Sequence, residues 1–216
     1  ESRYHVIGLR SERPRAFDTL EELASTYCDE VEAMAGDHGV RLLGWSSGGL
    51  IASAMAEELA RRGRSARYLG LLDTTVIAEA AAEGERGGVV AAMNILSTVR
   101  GRAFTSNELL DAQRFLAQAD RPEDGAKTDA LRLLARRLEI EVAEDTWEFL
   151  ASRMETTRHY ITLLAGYRPS ALDSASHFYA ARDRGPGPAS AAHGETGYDF
   201  REIGVAIHEV DGNHYT

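Results

Sequence analysis

The chain has 216 residues, of which 44% are hydrophobic and 27% are charged, and its formal net charge is −10. This composition predicts a folded domain with a sizeable core. The acidic balance argues against a nucleic-acid-binding protein, and no run of about 18 apolar residues predicts a membrane span. The single cysteine, Cys28, excludes an internal disulfide and a thiolate metal site, which fits a protein of the reducing cytoplasm.

Strand and helix patterns alternate over the first 75 residues. Short apolar runs predict strands, and a 3.6-residue apolar period predicts helices between them. The strands are expected at 4–9, 40–44 and 66–72, and the helices at 18–35 and 49–62. This alternation is typical of an α/β fold, a mostly parallel sheet with right-handed crossovers and helices on both faces.

Only helical patterns occur from residue 76 to residue 165, and strand patterns return at 176–181 and 205–210. We therefore predict an α/β core formed by residues 1–75 and 166–216, with a helical lid inserted over residues 76–165. The alternative interpretation of the insertion is plain helical packing on the sheet.

The strongest functional signal is a G-x-S-x-G motif at residues 44–48, which follows an apolar strand and opens a helix. That context is typical of a nucleophile elbow, in which glycines let the strand and the helix approach around a strained serine. Ser46 is therefore the candidate nucleophile, and the backbone N–H of Ser47 is the candidate oxyanion donor. No Gly-Lys-Ser/Thr follows, which disfavours a phosphate-binding loop.

A serine hydroxyl needs a general base, and the sequence contains seven histidines. His214 follows the last predicted strand, which places it beside the elbow and fits the chain order serine, acid, histidine of the α/β-hydrolase fold. His5, His177 and His208 lie within predicted strands, where a structural role is the default. His214 is therefore the candidate base.

The acid of such a triad orients the imidazole and stabilises its cation. Asp73 and Asp183 each end a predicted strand, and Asp211 lies in the loop before the candidate base. The residue pattern alone does not decide between Asp73 and Asp183, and Asp211 is the weaker third candidate.

The sequence around the motif resembles the thioesterase domains that end nonribosomal peptide and polyketide synthetases. The resemblance rests on LGWSSGGL at residues 43–50, MAEEL at 55–59 and LLDT at 71–74, and on residues 212–215, which resemble the histidine loop of that family. In that family the acid follows the strand that comes after the nucleophile helix. The resemblance therefore assigns the acid to Asp73.

The resemblance also implies an α/β-hydrolase fold and a thioesterase reaction. The implied substrate is a peptidyl or polyketide chain on the phosphopantetheine arm of a carrier protein domain, placed upstream in the same polypeptide. Release goes through an acyl-serine intermediate to a free acid or a ring. No metal or diffusible cofactor, nucleic acid or membrane is implied.

Members of that family begin with an earlier strand and a loop that supplies a second oxyanion N–H, and they continue into a helix after the histidine. We therefore expect the sequence to be part of a larger domain. Three rival functions use the same fold: an esterase or lipase for free esters, a non-catalytic binding module, and an acyltransferase that uses an external acceptor.

Overall fold

The computed structural model describes residues 6–9, 17–36, 39–79, 84–101, 104, 106–118, 126–171, 174–182 and 198–212. Its helices are α1 (Leu20–Ala35), α2 (Ser47–Arg61), α3 (Gly84–Arg100), α4 (Ser106–Gln118), α5 (Ala126–Arg137) and α6 (Trp147–Leu164). Its strands are β1 (Arg41–Trp45), β2 (Tyr68–Leu72), β3 (Ser176–Ala181) and β4 (Ala206–Val210). Among the described helices, none is long and apolar enough to cross a membrane.

The four strands form one sheet in the order β1-β2-β3-β4, and each neighbouring pair is parallel. The predicted parallel sheet is therefore confirmed. Since all four strands run the same way, their carboxyl ends lie along one edge of the sheet. Residues that follow the strands, where ligands bind in folds of this class, are brought together at that edge.

The strand predicted at residues 4–9 does not form in the part that the structure describes. Residues 6–9 have no regular structure, and Val6 is 92% exposed. Tyr4 and His5 lie outside the described residues. An apolar run becomes a strand only when a neighbouring strand satisfies its backbone groups, and no described strand pairs with these residues.

Asp18 and Glu21 have the spacing of a helix-capping box and predict Asp18 as the cap of α1, but the observed cap lies one residue later. Thr19 has an extended backbone, and its hydroxyl accepts a hydrogen bond from the Glu22 N–H at 3.1 Å. The Glu22 carboxylate in turn accepts from the Asp18 N–H at 3.0 Å. The local pattern thus contained the right residue types, but backbone geometry selected Thr19 as the cap.

Asp145 and Glu148 have the same spacing and predict a capping box at the start of α6, but this box does not form. A short 3₁₀ turn at Glu144–Thr146 leads into the helix, and Thr146 makes no capping hydrogen bond through its side chain. Its φ of −90° and ψ of −18° are already close to helical, whereas a capping side chain needs an extended backbone.

Two hydrophobic clusters make up the interior of the described residues. The first packs α1 and α2 against the sheet and includes Leu23, Leu50, Leu59, Leu71 and Phe178. The second lies among α3 to α6 and includes Trp147, Leu150, Met154 and Ile161. These four residues form an apolar stripe in the sequence, which predicts core rather than pocket lining. All four stripe residues are buried, so that prediction is confirmed. Helix α6 joins the clusters, because its Leu164 belongs to the first.

An ion-pair network joins α1 to α2. The Arg62 guanidinium donates to Glu58 at 2.6 Å, to Asp29 at 2.6 Å and to Glu32 at 2.7 Å. It also donates to the Ser25 hydroxyl at 2.8 Å. Arg61, Arg62, Arg64 and Arg67 follow the nucleophile helix, and their position predicts solvated charges at its carboxyl end rather than a phosphate site. For Arg62 that interpretation is wrong, because its side chain is only 23% exposed.

Candidate active site

Ser46 occupies a sharp turn between β1 and α2. Strand β1 ends at Trp45, α2 begins at Ser47, and Ser46 between them has φ 54° and ψ −127°. A non-glycine residue at this φ is strained and persists only where its surroundings fix it. The Ser46 side chain makes no capping hydrogen bond to α2, so the strained turn does not use the hydroxyl as a helix cap. These are the features of the predicted elbow.

Two glycines allow the turn to close, and they differ from the flanking pair in the motif. A Cβ on Gly44 would lie 2.2 Å from the Gly48 carbonyl oxygen and 2.5 Å from the Gly49 nitrogen. A Cβ on Gly49 would lie 1.9 Å from Oγ1 of Thr74. At Gly48, by contrast, a Cβ would meet nothing within 4 Å. The steric requirement predicted for Gly48 therefore falls on Gly49.

Asp73 follows β2 in a second strained position, with φ 45°. Its N–H donates to the Tyr179 carbonyl at 2.8 Å, and its carboxylate Oδ1 accepts from the Ala181 N–H at 3.2 Å. The aspartate is therefore held against β3 through both its backbone and its side chain. A backbone donor on one carboxylate oxygen fixes the orientation of the group, as an acid that must aim an imidazole requires.

The structure brings Ser46 and Asp73 together. In the β1–β2 register Trp45 lies opposite Leu72, so the two candidate residues follow paired strand positions. The Ser46 N–H donates to the Leu72 carbonyl at 2.8 Å, which extends the ladder by one step. The candidate nucleophile and the first-choice acid thus occupy neighbouring places at the carboxyl edge of the sheet.

The predicted oxyanion donor, Ser47, is the first residue of α2. Backbone N–H groups in the first turn of a helix have no partner within the helix, and the helix dipole gives that end partial positive charge. The Gly49 N–H is already used, since it donates to the Ser46 carbonyl at 3.0 Å. An N–H at the start of a 15-residue helix can stabilise negative charge that develops beside Ser46.

His214 lies outside the described residues. Strand β4, which precedes it, ends at Val210, and the Arg182 N–H after β3 donates to the Val210 carbonyl at 2.9 Å. The chain before His214 therefore reaches the same edge as Ser46 and Asp73. The assignment of His214 as the base stays a prediction.

The other two candidate acids are Asp211, which the structure describes, and Asp183, which it does not. Asp211 pairs with Arg182, and its side chain is 87% exposed. A solvated carboxylate already held by an arginine is a poor orienting group for an imidazole. Asp183 lies outside the described residues.

Two of the remaining histidines have structural partners, as their strand positions predicted. His177 Nδ1 lies 2.9 Å from His208 Nε2, and the rings belong to a stacked series with Tyr68 and Tyr179 across β2, β3 and β4. The two tyrosine hydroxyls are 2.8 Å apart. Burial and this hydrogen bond raise the pKa of Tyr68 to about 12. These stacked rings therefore link neighbouring strands of the sheet.

Sequence reasoning missed Thr74 as part of the site. Its side chain is 2% exposed and lies against Gly49, directly after Asp73. The available signals were its position next to a strand-ending aspartate and its place in the LLDT segment at residues 71–74. Among the described residues, no group of three or more His, Cys, Asp or Glu side chains is placed to hold a metal ion. The expectation that no cofactor is needed stays a prediction.

Comparison with protein families gives a match to the model described as "Thioesterase domain" over residues 3–215. Among curated proteins, vanchrobactin synthetase VabF of Vibrio anguillarum is 35% identical over 78 residues, 33% of this chain and 3% of that protein. A dimodular nonribosomal peptide synthase of Bacillus subtilis (strain 168) is 36% identical over 67 residues, 31% of this chain and 3% of that protein. The chain therefore spans a small part of these relatives.

Solved structures show the same architecture. The NocB thioesterase domain, in covalent complex with a fluorophosphonate nocardicin G analogue, superposes with a TM-score of 0.56 at 21% identity, over 94% of this chain and 70% of that one. The four-domain nonribosomal peptide synthetase AB3403 superposes with a TM-score of 0.58 at 18% identity, over 91% of this chain and 14% of that one. At these identities the likeness shows the fold, which agrees with the predicted α/β class.

Proposed function

Because the chain belongs to the thioesterase domain family, whose members are hydrolases, we propose that it releases an acyl chain from a carrier-protein thioester through an acyl-serine intermediate on Ser46. One observation carries the proposal. Ser46 sits in a strained strand-to-helix turn at the positive end of α2, and its N–H donates to the carbonyl of Leu72, the residue before Asp73. This is the arrangement that an activated serine nucleophile requires.

In the proposed acylation step, His214 takes the proton from the Ser46 hydroxyl as Oγ attacks the thioester carbonyl. The tetrahedral oxyanion is stabilised by the Ser47 N–H. The carbon–sulfur bond then breaks, and the proton passes from His214 to the departing thiol. Asp73 orients the imidazole and stabilises its cation during both transfers.

Deacylation repeats the sequence with a second nucleophile. Water that loses its proton to His214 gives a free acid, and an amine or hydroxyl of the same acyl chain gives a ring. The helical segment of residues 76–165 acts as a lid in this proposal, because exclusion of water favours the internal nucleophile. The proposal is supported by the second hydrophobic cluster, which the helices of this segment share and which α6 joins to the cluster at the sheet.

The proposed partner is the carrier protein domain of a peptide or polyketide synthetase, upstream in the same polypeptide. The support is the local identity to two peptide synthetases that are far longer than the matched segment. We further propose a location in the reducing cytoplasm, since Cys28 is an unpaired, buried thiol.

The experiment uses the full domain with its native flanking segments and a matched pair of acyl substrates, a pantetheine thioester and an oxyester of the same acid. Intact-mass spectrometry with peptide mapping detects the adduct. We expect acylation at Ser46, faster from the thioester, and none in Ser46→Ala. Ser47→Ala is the matched control, because it keeps the backbone N–H and removes only a neighbouring exposed hydroxyl.

Faster reaction with the oxyester would replace the thioesterase proposal by an esterase. A fluorophosphonate probe, which needs only an activated serine, tests the mechanism separately from the acyl group. A folded domain whose Ser46 reacts with neither substrate nor probe would be a binding module.

A further inference from the structure

Thr74 is a buried hydroxyl residue with no hydrogen-bond partner in the part of the chain that the structure describes. Its side chain is 2% exposed, and Oγ1 is shielded from solvent. A buried hydroxyl without a partner is less favourable than an apolar group of the same shape. Among the described residues, the contacts that Thr74 makes are therefore packing contacts.

The Thr74 side chain occupies the space beside the backbone of Gly49. A Cβ built on Gly49 would lie 1.9 Å from Oγ1, 2.9 Å from Cβ and 2.9 Å from Cγ2 of Thr74. Because this hypothetical Cβ would overlap Thr74 Cβ and both of its branches, the Thr74 side chain packs directly against the bare backbone of Gly49. Gly49 belongs to the first turn of α2, three residues after Ser46, while Thr74 directly follows Asp73.

The contact adds a packing support to the hydrogen bonds of the strained acid. Hydrogen bonds from β3 hold Asp73 on one side, through the Tyr179 carbonyl and the Ala181 N–H. On the other side the chain after Asp73 is held by the packing of Thr74 on α2. A φ of 45° at Asp73 needs such constraint from both directions.

We propose that Thr74 is a positioning residue that sets the spacing between Asp73 and the nucleophile helix by steric contact with Gly49. This inference rests on the proposed function, since it concerns the geometry of the same triad. The β-branched shape is the essential property, and the hydroxyl is dispensable.

The test is a series at one position, measured as the rate of Ser46 labelling by a fluorophosphonate between pH 5 and pH 9. Thr74→Ala removes both branches that face Gly49, and Thr74→Ser removes Cγ2 alone; we expect labelling to slow by about tenfold to a hundredfold, the effect of a misplacement near 1 Å. Thr74→Val keeps both branches and rescues the rate to within about twofold of wild type. Thr75→Ala, at the exposed next residue, is the control.

The pH profile separates positioning from loss of stability. A carboxylate beside an imidazole raises the pKa of that imidazole, so displacement of Asp73 lowers the apparent pKa of the labelling rate in Thr74→Ala and Thr74→Ser. Variants that only lose stability keep the wild-type profile, and thermal unfolding confirms that each variant is folded.

Three results would overturn the inference. Thr74→Ala and Thr74→Ser that are folded and keep the wild-type rate and profile would remove any positioning role. Thr74→Val that slows as much as Thr74→Ala would assign the effect to the hydroxyl. Wild-type protein that is not labelled at Ser46 would overturn the proposed function, and the inference with it.

Discussion

Ser46 and Asp73 both adopt positive φ angles, 54° and 45°, directly after paired ends of the neighbouring strands β1 and β2. Each donates its N–H to a carbonyl of the next strand, Ser46 to Leu72 and Asp73 to Tyr179, both at 2.8 Å. The hydrogen-bond pattern of the parallel sheet therefore extends one residue beyond each strand, to Ser46 and to Asp73. Ordinary sheet hydrogen bonds stabilise two unfavourable backbones and fix the separation of the two side chains.

Asp73→Asn is expected to lower the rate of Ser46 acylation by about 10³- to 10⁴-fold while the fold is kept, because the amide favours the wrong imidazole tautomer. The measurement is single-turnover acylation followed by mass spectrometry. Asp183→Asn is the matched control at the other aspartate that the sequence predicts to end a strand, and its rate should stay near wild type. A large loss in Asp183→Asn with little change in Asp73→Asn would move the acid to the later strand.

Gly44→Ala and Gly48→Ala should differ sharply although both glycines belong to the motif. The added methyl at Gly44 meets backbone atoms at 2.2 to 2.5 Å, which cannot yield as a side chain can. We expect Gly44→Ala to lose several kcal/mol of unfolding free energy or to fail to fold, about 3 kcal/mol or more. Gly48→Ala should stay within about 1 kcal/mol. Urea unfolding compares them, and equal losses would contradict the steric assignment.

The nucleophile region could be predicted from sequence because local rules and tertiary structure agree there. Gly44, Ser46 and the apolar strand before them carry the signal within a few residues, and the structure places each as expected. The strand at residues 176–181 was also predicted to the residue, since its apolar run is central in the sheet and pairs on both sides.

Tertiary contacts decided what the sequence could not. The role of Gly49 depends on Thr74, which is 25 residues away in the chain, and no local pattern contains that contact. Residues 6–9 have a strand-like pattern, but strand formation depends on a neighbour. The sequence predicted a solvated charge for Arg62, which follows α2. In the structure α1 packs beside it, and Arg62 pairs with Asp29 and Glu32 of that helix.

Arg62→Met should destabilise the domain by about 1–3 kcal/mol, because it removes the less exposed of the two arginines that pair with the buried Glu58 carboxylate and breaks the α1–α2 network. Arg61→Met is the control, since Arg61 also pairs with Glu58 but its side chain is 64% exposed. We expect a change of about 0.5 kcal/mol or less there. Thermal or urea unfolding measures both, and equal effects would mean that the network is as weak as a surface pair.

Cys28 should be nearly inert to alkylation in the folded protein. The residue is 0% exposed, and its thiol donates to the Met55 carbonyl at 3.4 Å. Burial is the main cause that raises the pKa of Cys28 to about 12, so very little thiolate exists at pH 8. Iodoacetamide labelling should be at least about 100-fold slower than in urea. As the chain has one cysteine, intact mass reports this site alone, and rapid native labelling would refute the assignment.

Because the pKa of Cys28 is raised in the folded state, we expect the unfolding free energy to fall in mild alkali. The pKa of Cys28 is about 12 in the folded state and near 8.5 in an unfolded chain, so the unfolded thiol ionises first as the pH rises. Its contribution is complete below the unfolded pKa and declines above it, by at most about 1.4 kcal/mol per pH unit. Between pH 8.5 and 10 wild-type protein should lose unfolding free energy more steeply than Cys28→Ala. Only the slopes of unfolding free energy against pH are compared, because the substitution itself leaves a cavity. Parallel slopes would show that the thiol ionises in the folded protein as it does when unfolded.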